Sequence, residues 1–141
     1  MAAIFPDEGL DTVLGQWPKN ATRLTTADLR LFTSQTASTV ITHAQTAANI
    51  TETTYTSYAS QALATATWGA QAEVPTNAGR QTTYPQVTFP TVGATGATIN
   101  GFYITTGATV CICQANFNDT TAVVLATNDI IKVTPTVGFL H

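Results

Sequence analysis

The sequence predicts an all-β fold, an antiparallel β-sandwich or jelly roll of about 7–8 strands with a short N-terminal helical arm. Three observations lead there. Between Thr83 and Pro135 lie four apolar, β-rich runs closed by turn residues: Tyr84 to Phe89, Ala97 to Thr105, Thr109 to Ala115 and Asp129 to Thr134. Only Thr106-Gly107-Ala108 separates the second from the third. A link that short makes a hairpin, so those strands are antiparallel neighbours and this half reads as a meander or part of a sandwich. The chain also holds 30 threonines and 21 alanines, more than a third of its 141 residues, and threonine is β-branched and favours strands.

The elements follow in order. Pro6-Asp7-Glu8 signals a helix start, with acids in the first turn. Leu10, Val13 and Leu14 lie on one face and Gly15 ends the helix, which is too short to stand alone and must dock. It either plugs the end of its own β domain or reaches a neighbouring subunit; residues 1–26 are read as an N-terminal arm and 27–141 as the β domain. Leu29-Arg30-Leu31-Phe32-Thr33 is the first clear strand, and Ser38 to Thr42 a weaker second. From His43 to Ser60 the pattern fades into either a long loop or a segment ordered by a partner. Gln61 to Trp68 alternates, with Ala62, Ala64, Ala66 and Trp68 on one face and Trp68 as its anchor. Gly69 to Gln81 reads as a loop or loose hairpin, Val123 to Leu125 as a short strand, Asn128-Asp129 as a turn, and Gly138 to His141 as a tail.

Composition excludes several function classes. Only 9% of residues are charged, against about 25% in typical soluble proteins. Covering a threonine hydroxyl needs one hydrogen bond, whereas covering an ammonium costs far more, so this surface suits packing against other subunits. Net charge is −3 and the five basic residues are dispersed, which argues against nucleic acid and against an anionic membrane as partners. The N-terminus lacks a basic segment and a long apolar run, so no secretory signal is expected. Cys111 and Cys113 flank Ile112 and share a strand face, where a disulfide between them would be strained; they read as small buried side chains kept reduced in a cytoplasm.

Candidate chemistry is sparse. His43 has no acid or nucleophile near it in sequence, and His141 is terminal. Asp119 and Asp129 sit in turn contexts, where aspartate bonds its own backbone. No metal-ligand spacing, phosphate loop or nucleophile elbow occurs, so neither metal nor cofactor is expected. Trp17, Tyr55, Tyr58 and Trp68 are the aromatics available to a sugar-binding surface, but they show no platform spacing.

Four stretches carry a resemblance: Tyr84-Pro-Gln-Val-Thr-Phe89, Ile99-Asn-Gly-Phe-Tyr-Ile-Thr105, Val110 to Phe117 and Asn128-Asp-Ile-Ile-Lys-Val-Thr-Pro135. With the Leu29 to Thr33 strand and the Ile4-Phe-Pro-Asp-Glu-Gly9 start, they resemble small virion structural proteins of tailed bacteriophages and cyanophages. The third strand departs from that pattern: Cys111 to Phe117 is uncharged where an acidic or Trp/Glu pair is usual. The resemblance implies a non-enzymatic head decoration or cement protein, a homotrimer seated on the major capsid protein at the outer capsid surface of the virion. Such a protein is expected to be made in the host cytoplasm and to need no cofactor. Phe5, Leu10, Leu14 and Trp17 of the arm are the expected anchors. The alternative is a tail or fibre-tip protein that binds the host surface.

Overall fold

The computed structural model describes residues 26–35, 46–73, 79–93, 96–107, 109–114 and 123–140. The expected arm helix, with Phe5, Leu10, Leu14 and Trp17, lies outside them, as do the Ser38 to Thr42 strand, His43, Asp119 and His141. Among the described residues twelve strands run in chain order: β1 (Thr26–Gln35), β2 (Ile50–Glu52), β3 (Gln61–Ala64), β4 (Ala72–Glu73), β5 (Gly79–Thr83), β6 (Val87–Thr88), β7 (Ala97–Ile99), β8 (Gly101–Thr106), β9 (Thr109–Gln114), β10 (Val123–Leu125), β11 (Lys132–Val133) and β12 (Thr136–Leu140). Helix among the described residues is limited to two 3-10 turns, Ala47–Asn49 and Thr65–Thr67. The fold is all-β, and every strand pair is antiparallel.

The C-terminal half is nested rather than a meander. β8 pairs with β9 across the tight turn at Gly107, whose φ is +59°. Outward from that turn, β7 pairs with β10, β6 with β11 and β5 with β12. One long hairpin thus runs from Gly79 to Leu140, cut into four ladders. The cuts fall where the sequence supplies breakers: Tyr84-Pro85 and Thr134-Pro135, then Pro90 opposite the Asn128-Asp129 turn, then Asn100. Nesting explains why the expected long strands are shorter. Tyr84 to Phe89 keeps two ladder residues, Asp129 to Thr134 keeps two, and Ala97 to Thr105 is split at Asn100 between two sheets. It also recruits the expected tail, since Gly138 belongs to β12 and pairs with Gln81.

β1 is the other organiser. It lies against β8 on one side, and its opposite edge is shared by β3 at Thr26 to Leu29 and β2 at Phe32 to Gln35. Leu29 and Leu31 point into the core, and Arg30 pairs with Tyr103 of β8 on the reverse face. Both faces are covered here, so Phe32, Tyr103 and Thr105 are buried as fully as Phe102 and Ile104. The Gln61 to Trp68 strand needs correction. It stops at Ala64, its buried residue is Leu63, Ala62 and Ala64 are exposed, and a 3-10 turn follows. Its alanines carry too little apolar area to decide which face turns inward, and the one leucine does. Trp68 is half-buried at the core margin, edge-on to Tyr84 at 5.2 Å.

One apolar cluster gathers Leu29, Leu31, Tyr55, Leu63, Phe89, Val92, Ile99, Phe102, Ile104, Leu125, Ile131 and Val133, with Val137 packed against it. These come from β1, β3, β7, β8, β10, β11 and β12 and from the loops between, so the four sheets share a single interior. Two glycines allow close backbone approach. A Cβ on Gly96 would collide with the Leu125 carbonyl oxygen, and one on Gly93 would lie 2.6 Å from Thr56 Cβ.

Candidate functional site

The one dense polar constellation among the described residues lies at the interrupted edge of β1. Between the stretch paired with β3 and the stretch paired with β2, Leu31 has no strand opposite it. Residues 53–60 fill the gap. Thr53 N–H donates to the Leu31 carbonyl (3.0 Å), and Leu31 N–H donates to the Tyr58 hydroxyl (3.0 Å). A side-chain oxygen thus stands in for a strand carbonyl, because an unpaired N–H at a buried edge would cost roughly 1–3 kcal/mol.

The Tyr58 hydroxyl passes its own proton on, donating to Glu52 Oε1 at 2.7 Å. Glu52 Oε2 accepts from Arg30 Nη1 at 2.8 Å, and Arg30 Nη2 reaches Asp28 Oδ2 at 3.5 Å. The Tyr103 phenol is close enough to feel the charges of both Glu52 and Arg30. Arg30 Nε is buried without a partner, as are the hydroxyls of Thr53 and Thr105. Electrostatics follow the geometry. Burial works against the Arg30 charge, but the Glu52 carboxylate more than offsets it and holds the guanidinium above its ordinary range. Burial, reinforced by the Glu52 charge, pushes the Tyr103 phenol up to about 12 and Tyr58 higher still. Both phenols are therefore neutral donors at any physiological pH.

The segment carrying Tyr58 is anchored from the other side as well. Tyr55 is buried, edge-on to Tyr58 at 5.3 Å, and Tyr58 stacks on Phe89 at 6.2 Å with the rings 7° from parallel. Tyr55 Oη donates to the Pro90 carbonyl (2.9 Å), and Gly93 N–H donates to the Thr56 carbonyl (3.1 Å). The weak stretch is thus ordered by its own domain over residues 46–60. Of Tyr55 and Tyr58, read from the sequence as surface aromatics, Tyr55 belongs to the interior and Tyr58 is half-buried against it.

The expected sites fare differently. Asp129 caps its own turn, with Oδ2 accepting from Ala126 N–H at 2.8 Å beside Asn128 at φ +75°. Cys111 and Cys113 fall on β9, with Cys113 in register with Tyr103. No three His, Cys, Asp or Glu side chains come together among the described residues, and no described helix is long and apolar enough to cross a membrane. Chemically, the Arg30–Glu52–Tyr58–Tyr103 network pins two strands and a loop. Its carboxylate already accepts from two donors, so it is a fastening rather than a poised base.

Sequence reasoning missed this network because Arg30, Glu52 and Tyr58 follow no spacing motif. A signal was present. In a chain so poor in charge, Arg30 inside Leu29 to Phe32 and Glu52 beside Ile50 are ions on strands, and ions on strands need partners. Compared with known proteins, the chain matches no family model, no curated protein and no solved structure.

Proposed function

We propose that the protein is a non-enzymatic virion structural protein of a tailed phage, a capsid decoration or cement protein that seats on the major capsid protein as a homotrimer. The observation that carries this reading is how charge is spent. Asp28, Arg30 and Glu52 are tied to one another, Arg80 reaches the Gln71 carbonyl, and Asp129 caps its turn. Glu73 and Lys132 are the other described charges. The remaining described surface is largely threonine and alanine, with Val124 at 75% and Ile130 at 51% exposure. Such a surface is cheaply desolvated, which favours burial across several capsid subunits and stabilises a shell by mass action. The nested hairpin is compatible with a jelly-roll arrangement of the four ladders. Phe5, Leu10, Leu14 and Trp17 are the proposed arm anchors. A host-binding tail protein would draw on Tyr55 and Tyr58 as contact aromatics, but Tyr55 is buried in the core and the half-buried Tyr58 packs against it.

The test is the copy number of the protein in purified particles. A ratio comparable to that of the major capsid protein is expected. A handful of copies moves the protein to the tail, and complete absence ends the virion reading. Deleting residues 1–20 is expected to abolish attachment to capsids while the β domain stays folded.

A further inference from the structure

Asn100-Gly101 is the one place in the chain where glycine follows asparagine. It sits at the joint where the long hairpin leaves the β7–β10 ladder and enters β8 of the five-stranded sheet. Asparagine before glycine is prone to spontaneous deamidation. With no Cβ on the following residue, its backbone nitrogen swings freely toward the asparagine side chain. The Gly101 nitrogen attacks Asn100 Cγ, the Cγ–Nδ2 bond breaks, ammonia leaves, and a five-membered succinimide closes. Water then opens the ring at one carbonyl or the other, leaving aspartate or isoaspartate. One water is consumed and one ammonia released, with no change of oxidation state.

The fold opposes this chemistry at three points. Asn100 Nδ2 donates to the Thr33 carbonyl at 2.5 Å, which holds the side-chain amide over the end of β1. Asn100 N–H donates to the Phe32 carbonyl at 2.8 Å. Gly101 is buried and in register with Phe32. Reaction needs Cγ and the Gly101 nitrogen brought to attack geometry, so both attachments must be released first.

We propose that Asn100-Gly101 is a deamidation site guarded by its docking on β1, and that modification there is a one-way release of the joint. An aspartate at position 100 sets a carboxylate against the Thr33 carbonyl, acceptor against acceptor, where a donor stood. Isoaspartate also lengthens the main chain by one methylene just before β8, which moves β8 out of register with β1. Brief opening of this corner is thereby converted into lasting damage, and the rate of conversion reports how often the corner opens.

The full-length protein is incubated in warm, mildly alkaline buffer, folded or in denaturant, and mapped by peptide mass spectrometry. The expected result in denaturant is a gain of about one dalton on the peptide containing Asn100, the signature of NH2 replaced by OH. Folded protein is expected to convert slower by about tenfold or more. Asn100→Gln, which would need a less favourable six-membered ring, loses the gain. Equal rates in folded and unfolded protein would overturn the guarding, and no gain at residue 100 in denaturant would overturn the site. Asn100→Asp is expected to melt below the wild type or fail to fold, whereas an unchanged midpoint would overturn the one-way release.

Discussion

Replacing Tyr58 with phenylalanine removes one oxygen atom and tests the network at its centre. The ring keeps its stacking on Phe89 and its edge contact with Tyr55, so little packing is lost. Two hydrogen bonds vanish together. Leu31 N–H loses its acceptor at a gap in the sheet edge where no strand replaces it, an orphaned donor that costs about 1–3 kcal/mol. Glu52 loses a 2.7 Å donor. A bond to a charged acceptor is worth about 1.5–3 kcal/mol, discounted here because the Glu52 side chain is 30% exposed and water can replace the phenol. The sum is a loss of about 2–4 kcal/mol, read as a fall in Tm of roughly 6–12 °C for a chain of this size. Thermal and denaturant unfolding measure it. Tyr84→Phe is the control: its hydroxyl accepts from Ala64 N–H at 3.2 Å in an exposed setting, so its removal should cost under about 1 kcal/mol. A Tyr58→Phe loss below about 0.5 kcal/mol, or no larger than that of Tyr84→Phe, would refute the idea that a hydroxyl closes the β1 edge.

Three further outcomes are expected. Thr105→Val replaces a buried hydroxyl that has no partner, so it should stabilise by about 1 kcal/mol in denaturant unfolding; a loss of that size would mean the hydroxyl is satisfied in solution. Gly93→Ala drives a methyl to 2.6 Å from Thr56 Cβ, so it should destabilise by about 1–3 kcal/mol, and double replacement with Thr56→Gly, which removes that Cβ, should recover part of that; no cost would show that the loop yields freely. Stability should also fall steeply in alkali. A phenol in the unfolded chain ionises near about 10, whereas Tyr103 in the folded chain is pushed up to about 12. The unfolded state loses its protons first, so stability present below about pH 10 drains away as pH rises through about 12. Phenolate absorbance that follows unfolding, rather than preceding it, is the expected observation.

What the sequence by itself determined is local. Period-2 runs bounded by proline and glycine set the class, and the three-residue link at Gly107 set the β8–β9 hairpin. The Leu29 to Thr33 pattern set β1, and Asn128-Asp129 set a turn whose aspartate bonds its own backbone. Those features depend on residues a few positions apart. Tertiary structure decided the rest. Ladder partners such as Gly79 and Leu140 lie far apart in the chain, and nothing local says that a run shall be cut at Asn100 or a tail recruited as β12. The Gln61 to Ala64 face turned on one leucine because the flanking alanines bury almost nothing. Tyr55 and Tyr58 stand in a threonine-rich stretch with no periodicity, so only the gap their segment fills on β1 explains why Tyr55 is buried and Tyr58 packs against the core. Arg30 and Glu52 are 22 residues apart and become partners because β1 and β2 lie side by side. Spacing in sequence encodes strands and turns; which strand lies beside which, and hence where the few charges meet, is settled by the shared core that all four sheets must bury at once.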